Sequence, residues 1–145
     1  MVLLTTDQAL AIVARARETA RAMGVKPLGY AVVDAGGHLL ALARDEQAGF
    51  LRAAIAANKA WGCMALGISG ARLEQVVKGW ESWFVGIQGA ATGRLVPTPG
   101  GVLVRSAAGD RLGAVGISGD SSRNDLAVAT AAIEAVGLTA DNAGD

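Results

Sequence analysis

The sequence predicts an α/β (α+β) fold, a single antiparallel sheet with helices packed on it. Residues 28–66 and 101–136 repeat one plan of strand, glycine-containing turn, strand and helix, so a ββα unit occurs twice. The turns inside these units are short, and a short turn joins antiparallel neighbours, whereas a parallel pair needs a long crossover. The 145 residues are enough for one domain, 1–145, that buries a core without covalent staples. Helices with one apolar stripe then find their cover on the sheet.

The chain opens on a helix. Thr5 with Gln8 three residues on fits a capping box, and Asp7 suits the positive end of the helix dipole. Ala9, Val13, Ala16, Ala20 and Met23 recur at helical spacing, Gly24 stops the helix and Pro27 prevents its resumption. Residues 28–33 form a strand, Asp34-Ala35-Gly36-Gly37 a turn, and 38–44 a second strand. A second helix runs from 50 to about 66. Phe50, Ala54, Ala57, Trp61 and Met64 share one of its faces, and Arg52, Lys59 and Cys63 another. The polar face is expected to look past the sheet edge rather than into the core.

Between 67 and 99, Ser69 is placed to cap a short helix carrying Leu73, Val76 and Val77. Trp80, Trp83, Phe84 and Ile87 fall on one face of another, and Gly86, Gly89 and Gly93 loosen the chain beyond it. Val102, Leu103 and Val104 make a third strand, Ala107-Ala108-Gly109-Asp110 the reversal, and the apolar run 112–117 a buried fourth strand too short for a helix. Gly113 and Gly116 leave that strand without bulk where backbone or ligand lies close. After Gly119 the polar DSSRND leads into a helix of Ala, Val and Leu, and the tail 136–145 reads as polar and frayed.

Lys plus Arg total 13 and Asp plus Glu total 13. A neutral chain with no basic cluster does not present the concentrated positive face that nucleic acid requires. One cysteine excludes an internal disulfide and a cysteine-rich metal site. MVLLTTDQ lacks the basic region and long apolar stretch of a signal peptide, and no run reaches membrane-spanning length. The expectation is a cytoplasmic chain with no membrane partner. Ala and Gly richness, weak charge and clustered tryptophans suggest an exposed apolar patch that a neighbouring copy covers, so a homo-oligomer, dimer or larger, is expected.

With these stretches placed, the chain resembles the GlcG/HbpS-like haem-binding family, which also occurs as the C-terminal domain of PduO-type proteins. AVVDAGGHLLALARDE, AAIAANKAWGCMALG, PGGVLV and GAVGISGDSSRND carry the resemblance in this order. It implies a profilin-like fold with a five-stranded antiparallel sheet, assembly into dimers or rings, binding of haem or a related tetrapyrrole in some members, and a place beside small-molecule catabolism. Members often carry Arg-Met-Asp after the second strand, where this chain has Arg44-Asp45-Glu46. The departure bears on rim contacts at a strand end.

Several residues are candidates for chemistry. His38 is the single histidine, and an imidazole ligates iron or shuttles protons; a solvent-facing turn histidine is the plainer reading. Alone it cannot build a tetrahedral metal site, and no metal is predicted from the residues. Lys59 and Cys63, four apart on a helix, could meet and activate the thiol, or be a half-buried cysteine beside a solvated lysine. Trp61, Trp80, Trp83 and Phe84 offer flat rings to a porphyrin or an aromatic substrate, or else pack a core or interface. Glu81 among them is a candidate acid or base.

Gly113, Gly116 and Gly119 do not make a dinucleotide fingerprint, because the glycines lie inside a strand of an antiparallel hairpin. The turn at Gly119-Asp120-Ser121-Ser122 is a candidate anion site, with Ser122 and Asp125 as an ordinary helix cap the alternative. The functional expectation is a small-ligand binding protein of haem or tetrapyrrole type. The alternative is an enzyme moving protons on a hydroxy-, oxo- or aromatic acid through Lys59, Glu81 or His38. A purely structural oligomeric accessory is a third reading. A ligand pocket is expected where the Lys59/Cys63 face meets the Trp80–Phe84 segment and the backbone of Gly100 and Gly101.

Overall fold

Both hairpins lie side by side in one antiparallel sheet, described over residues 2–145 by a computed structural model. The elements are α1 (Thr6–Met23), β1 (Gly29–Asp34), β2 (Leu39–Arg44), α2 (Leu51–Leu66), α3 (Gly70–Gly79), α4 (Glu81–Ala90), β3 (Gly101–Arg105), β4 (Arg111–Ser118), α5 (Ser122–Ala135) and β5 (Thr139–Asp141). The five strands run β2-β1-β4-β3-β5, and every neighbouring pair is antiparallel. The first strand of one unit therefore pairs with the second strand of the other. Their helices end on opposite faces, α2 on one and α5 beside α1 on the other.

The alternation of strand side chains explains the two cores. Tyr30, Val32, Val102, Val104, Val115 and Ile117 point to the side where Ile12 and Ala16 of α1 and Val128, Ala132 and Ile133 of α5 close the main core. Val33, Leu103 and Ala114 point the other way, onto Ala60 and Cys63 of α2. On that side the sheet floor is small. A Cβ on Gly116 would overlap the Ala56 carbonyl oxygen, and one on Gly101 would lie 2.8 Å from Cys63 Sγ. The α2 backbone thus rests directly on the strands, as the glycines of the fourth strand suggested.

This close seat reverses the reading of α2. Its buried residues are Ala56, Lys59, Ala60, Gly62 and Cys63, while Phe50 just before it is 88% exposed and Trp61 only half-buried. The stripe that looked apolar faces outward, and the stripe carrying Lys59 and Cys63 faces the sheet. Only small side chains, or one that brings its own polar partners, fit against a glycine floor.

The termini of α1 follow expectation: Thr5 and Gln8 form a reciprocal capping box, and Gly24 ends the helix at φ +66°. The tail does not fray. Residues 139–141 pair with β3 as an edge strand, and Ser69 Oγ donates to the Asp141 carbonyl while accepting from Leu103 N. Arg105 Nε holds Asp141 Oδ2 at 2.7 Å, and Arg105 and Arg111 both hold the Asp145 carboxylate. Ser69 precedes α3 as expected, yet its hydroxyl makes no capping bond because it is used to join β3 to β5.

Candidate functional site

Lys59 rises from the third turn of α2 straight into the junction of α5, β4 and the loop before β3. Its ammonium donates to the carbonyls of Pro99 at 3.0 Å and Ile117 at 2.9 Å and to Asp125 Oδ2 at 3.3 Å. Three donors thus meet three acceptors, which is what a buried ammonium requires. Gly100 is the lid on this arrangement: a Cβ there would lie 2.8 Å from Lys59 Nζ. Burial pulls the Lys59 pKa down and pushes that of Asp125 up, and each partner's opposite charge works against that pull.

Asp125 escaped the sequence reading because its place near a helix start looked like capping. The cap of α5 is Ser121, whose Oγ accepts from Asn124 N, rather than Ser122. Asp125 Oδ1 instead takes the Asp120 N–H at 3.0 Å. The candidate anion turn is therefore filled by the chain's own carboxylates: Asp120 Oδ1 takes Ser121 N and the Asn124 amide, and Asp120 Oδ2 takes Lys26 N.

These bonds to the charged form, led by Lys26 N–H, lower the Asp120 pKa from 3.8 to about 2. A depressed carboxylate contributes stability that is present above its unfolded pKa and lost as pH falls through the folded one. Asp120→Ala is expected to lower the urea midpoint at neutral pH, with the gap to the parent closing as pH falls from 3.8 to about 2. A gap that stays constant across that window would refute the coupling.

Cys63 is 2% exposed, and burial pushes its thiol up to about 12. The pairing with Lys59 does not make a thiolate, since the ammonium is consumed by Asp125 and two carbonyls. The Lys59/Cys63 face and the Gly100-Gly101 backbone do come together, but they pack against each other with no room between.

The aromatic residues gather on the outer side of α2 instead. Trp61, Leu66, Trp83, Ile87 and Leu95, with Ala65, Ala90 and Ala91, line an apolar recess of about 390 Å³ between α2 and α4. Leu95 is its floor, 4% exposed and under Gly62. Gln88 fixes that floor by donating to Leu95 O at 3.0 Å and accepting from Leu95 N at 3.2 Å. Trp80 stacks on Trp83 with ring centres 5.4 Å apart, and the Arg94 guanidinium lies over Trp61 at 4.0 Å. Phe84 is half-buried on the same helix, and Glu81 is exposed at the first turn of α4. No residue of α4 is buried, so this helix stands as a half-open wall.

His38 follows Gly37, which lies against Trp61. A Cβ on the adjacent Gly37 would lie 3.3 Å from Trp61 Cδ1. Asp34 Oδ1 takes the N–H groups of Gly36 and His38 and stands 3.3 Å from His38 Nδ1. Burial pushes the Asp34 pKa up, but those N–H groups and the imidazole outweigh it and the net shift is down. The imidazole is 82% exposed, so its Nε2 is free to meet a ligand.

The family model described as haem degrading protein HbpS-like matches residues 4–134. The chain belongs to that family. Among solved structures, the HbpS-like chain is similar to PduOC, seen in complex with haem, at 27% identity and a TM-score of 0.86, covering 97% of this chain and 99% of that one. It is similar to the Klebsiella pneumoniae protein ORFY at 27% identity and a TM-score of 0.85, covering 94% and 93%. A Streptomyces reticuli HbpS double mutant shares the fold at 21% identity and a TM-score of 0.78, covering 93% and 88%. No curated protein sequence matches the HbpS-like chain. Among the described residues no helix is long and apolar enough to cross a membrane, and no three His, Cys, Asp or Glu side chains are grouped to hold a metal ion.

Of the residues singled out in the sequence for chemistry, Trp61 and Trp83 line the recess of this HbpS-like fold and His38 stands in the exposed turn after Gly37; Asp34, Arg94 and Asp125 were not among them. Asp34 and Asp125 each stand at an element boundary, where a carboxylate is read first as a turn or cap residue. Arg94 follows the positive-φ pair Thr92 and Gly93, and that reversal is what returns it over α2.

Proposed function

We propose that this protein binds haem or a related tetrapyrrole in the recess between α2 and α4, and that it does so as an oligomer. One observation carries the reading: Trp61 and Trp83 line an otherwise aliphatic recess, the Arg94 guanidinium lies over Trp61, and Gly37, the residue before His38, approaches the same indole. Flat indole surfaces suit a planar macrocycle, Arg94 suits its carboxylate side chains, and the Asp34-oriented imidazole of His38 suits its iron. The recess of about 390 Å³ is smaller than a whole macrocycle needs, so it fits one buried edge with the remainder outside. A bound haem would supply iron-centred redox and ligand-exchange chemistry. The protein's own part is to stack the ring, pair its carboxylates and shield one edge from water. The likeness to PduOC, a haem complex, supports the same reading.

The oligomer follows from the outer surface. Phe50, Trp80 and Val85 are 88%, 57% and 72% exposed, which is more bulky apolar surface than a small chain ordinarily leaves in water. A second copy across α4 would also cover the open side of the recess.

Haem titration is expected to give a saturable Soret band and to quench tryptophan emission. Trp83→Ala should remove most of that quench while the melting temperature holds, because Trp83 is only half-buried. Light scattering on the same samples should give a dimer or larger. No Soret band, or undiminished quenching in Trp83→Ala, would overturn the site.

The second reading is proton transfer on a hydroxy-, oxo- or aromatic acid, and the Asp34–His38 pair favours it. Of the three acid–base candidates, Lys59 is sealed from solvent, and Glu81 and His38 are open to it. Turnover lost in His38→Gln and kept in Glu81→Gln would support this reading.

A further inference from the structure

On the α1 face of the sheet, away from the aromatic recess, lies a second cavity of about 370 Å³. It is bordered by the last turns of α1, the loop into β1 and the loop after β2, is open to solvent, and the haem reading makes no use of it. We propose that this cavity is a separate binding site for a small organic carboxylate.

The charges are arranged for an anion. Arg17, Arg21 and Lys26 line the cavity together with only two carboxylates, Asp45 and Glu46. Asp45 is already committed, since its Oδ2 takes the buried Tyr30 hydroxyl at 2.8 Å and Leu28 N at 2.9 Å. Its Oδ1 stands 3.6 Å from Arg17 Nε. That approach is through the inner nitrogen and is longer than a hydrogen bond, and both terminal nitrogens are without a protein partner among the described residues. Arg21, one helical turn on, has no ion-pair partner among the described residues, and the Lys26 ammonium pairs with no carboxylate of the cavity wall, its charge acting on Asp120 outside it. A guanidinium with both terminal nitrogens free is a fork, and a planar carboxylate matches it in two parallel hydrogen bonds.

The remaining wall selects an organic ligand over an inorganic anion. Ala20, Val25 and Pro27 put hydrocarbon opposite the cations, and the ring of Tyr30 closes the bottom at 1% exposure. The volume is at the lower end of the roughly 300–1,000 Å³ usual for ligand pockets, which limits the guest to a small molecule. A carboxylate on a short chain or single ring satisfies both halves of the wall. Phosphate satisfies only the cations. The site is independent of the haem reading: it has no tryptophan, and its ligand would leave indole emission unchanged.

Benzoate, acetate and inorganic phosphate, titrated at matched ionic strength into the ¹⁵N-labelled full chain, test this. Benzoate should bind saturably and move the amides of Gly24, Val25, Lys26 and Gln47. Acetate, lacking the hydrocarbon, should bind about tenfold more weakly, and phosphate should not saturate. Arg17→Lys keeps the charge and removes the fork, so benzoate should weaken by about tenfold, and Arg21→Gln should weaken it severalfold. If Arg17→Lys loses spectral dispersion, Arg21→Gln alone decides. Amide shifts elsewhere, phosphate binding as tight as benzoate, or undiminished benzoate binding in Arg21→Gln would overturn the proposal.

Discussion

Lys59→Met is expected to cost about 3–5 kcal/mol, the penalty for removing one partner of a buried ion pair. Methionine keeps most of the stem volume, so the loss is not one of packing. What remains is a carboxylate that is 2% exposed as a residue, without its cation, and two carbonyls, of Pro99 and Ile117, that lose a donor. At roughly 2–4 °C per kcal/mol for a chain of this size, the melting temperature should fall by about 6–20 °C. Asp125→Leu alone should fall similarly, because it leaves the ammonium buried. The double variant Lys59→Met/Asp125→Leu should recover most of the loss, since replacing both charges by apolar groups removes the desolvation cost as well as the attraction. Additive losses in the double variant would show that the pair is not the source of the effect.

This has a consequence for function. A loss of ligand binding or turnover in a Lys59 variant is expected from misplacement of α2, which carries Trp61 half a turn further on. Only the stable double variant separates the two roles. If it binds haem normally, Lys59 is structural. A well-folded double variant that has lost activity would give Lys59 a part in the chemistry.

The sheet and its helices were legible because they rest on local signals: the capping box at Thr5, the glycine turns at 36–37 and 109, and the short continuous apolar run of β4. What could not be read was long-range. The orientation of α2 depends on Gly101 and Gly116, which lie on other strands and matter only once α2 is seated on them. Lys59 reads as solvated until Asp125, 66 residues on, is placed beside it. The tail reads as frayed because Asp141 and Asp145 are polar, and only Arg105 at the end of β3 and Arg111 at the start of β4 give them a place. For the site, the aromatic cluster was visible as composition. Its separation from the Lys59/Cys63 face was not, because Trp61 shares α2 with Lys59 and Cys63 and differs from them only in which side meets the sheet.

Gly116→Val sets two principles against each other. On strand propensity alone, valine in a central strand is favoured over glycine, by up to about 1 kcal/mol. The structure predicts the opposite sign. Gly116 pairs with Ala31 on one side and Gly101 on the other, at the middle of the sheet, with Ala56 of α2 directly above. A Cβ there would overlap the Ala56 carbonyl oxygen and lie 2.9 Å from Ala60 N. These are helix backbone atoms, which cannot swing aside as a side-chain tip does. Inserting bulk into a packed core typically costs about 1–3 kcal/mol, and here the added branches require the whole helix to lift, so a loss at or above about 3 kcal/mol is expected. Lifting α2 would also draw Lys59 away from Asp125 and move Trp61 in the recess wall, so ligand binding should weaken with stability. Gly86→Ala is the control. That glycine lies in α4 with nothing within 4 Å of an added Cβ, and alanine there should stabilise by up to about 1 kcal/mol. Urea unfolding of both variants decides the matter. If Gly116→Val unfolds at the parental midpoint, α2 does not rest on the glycine floor.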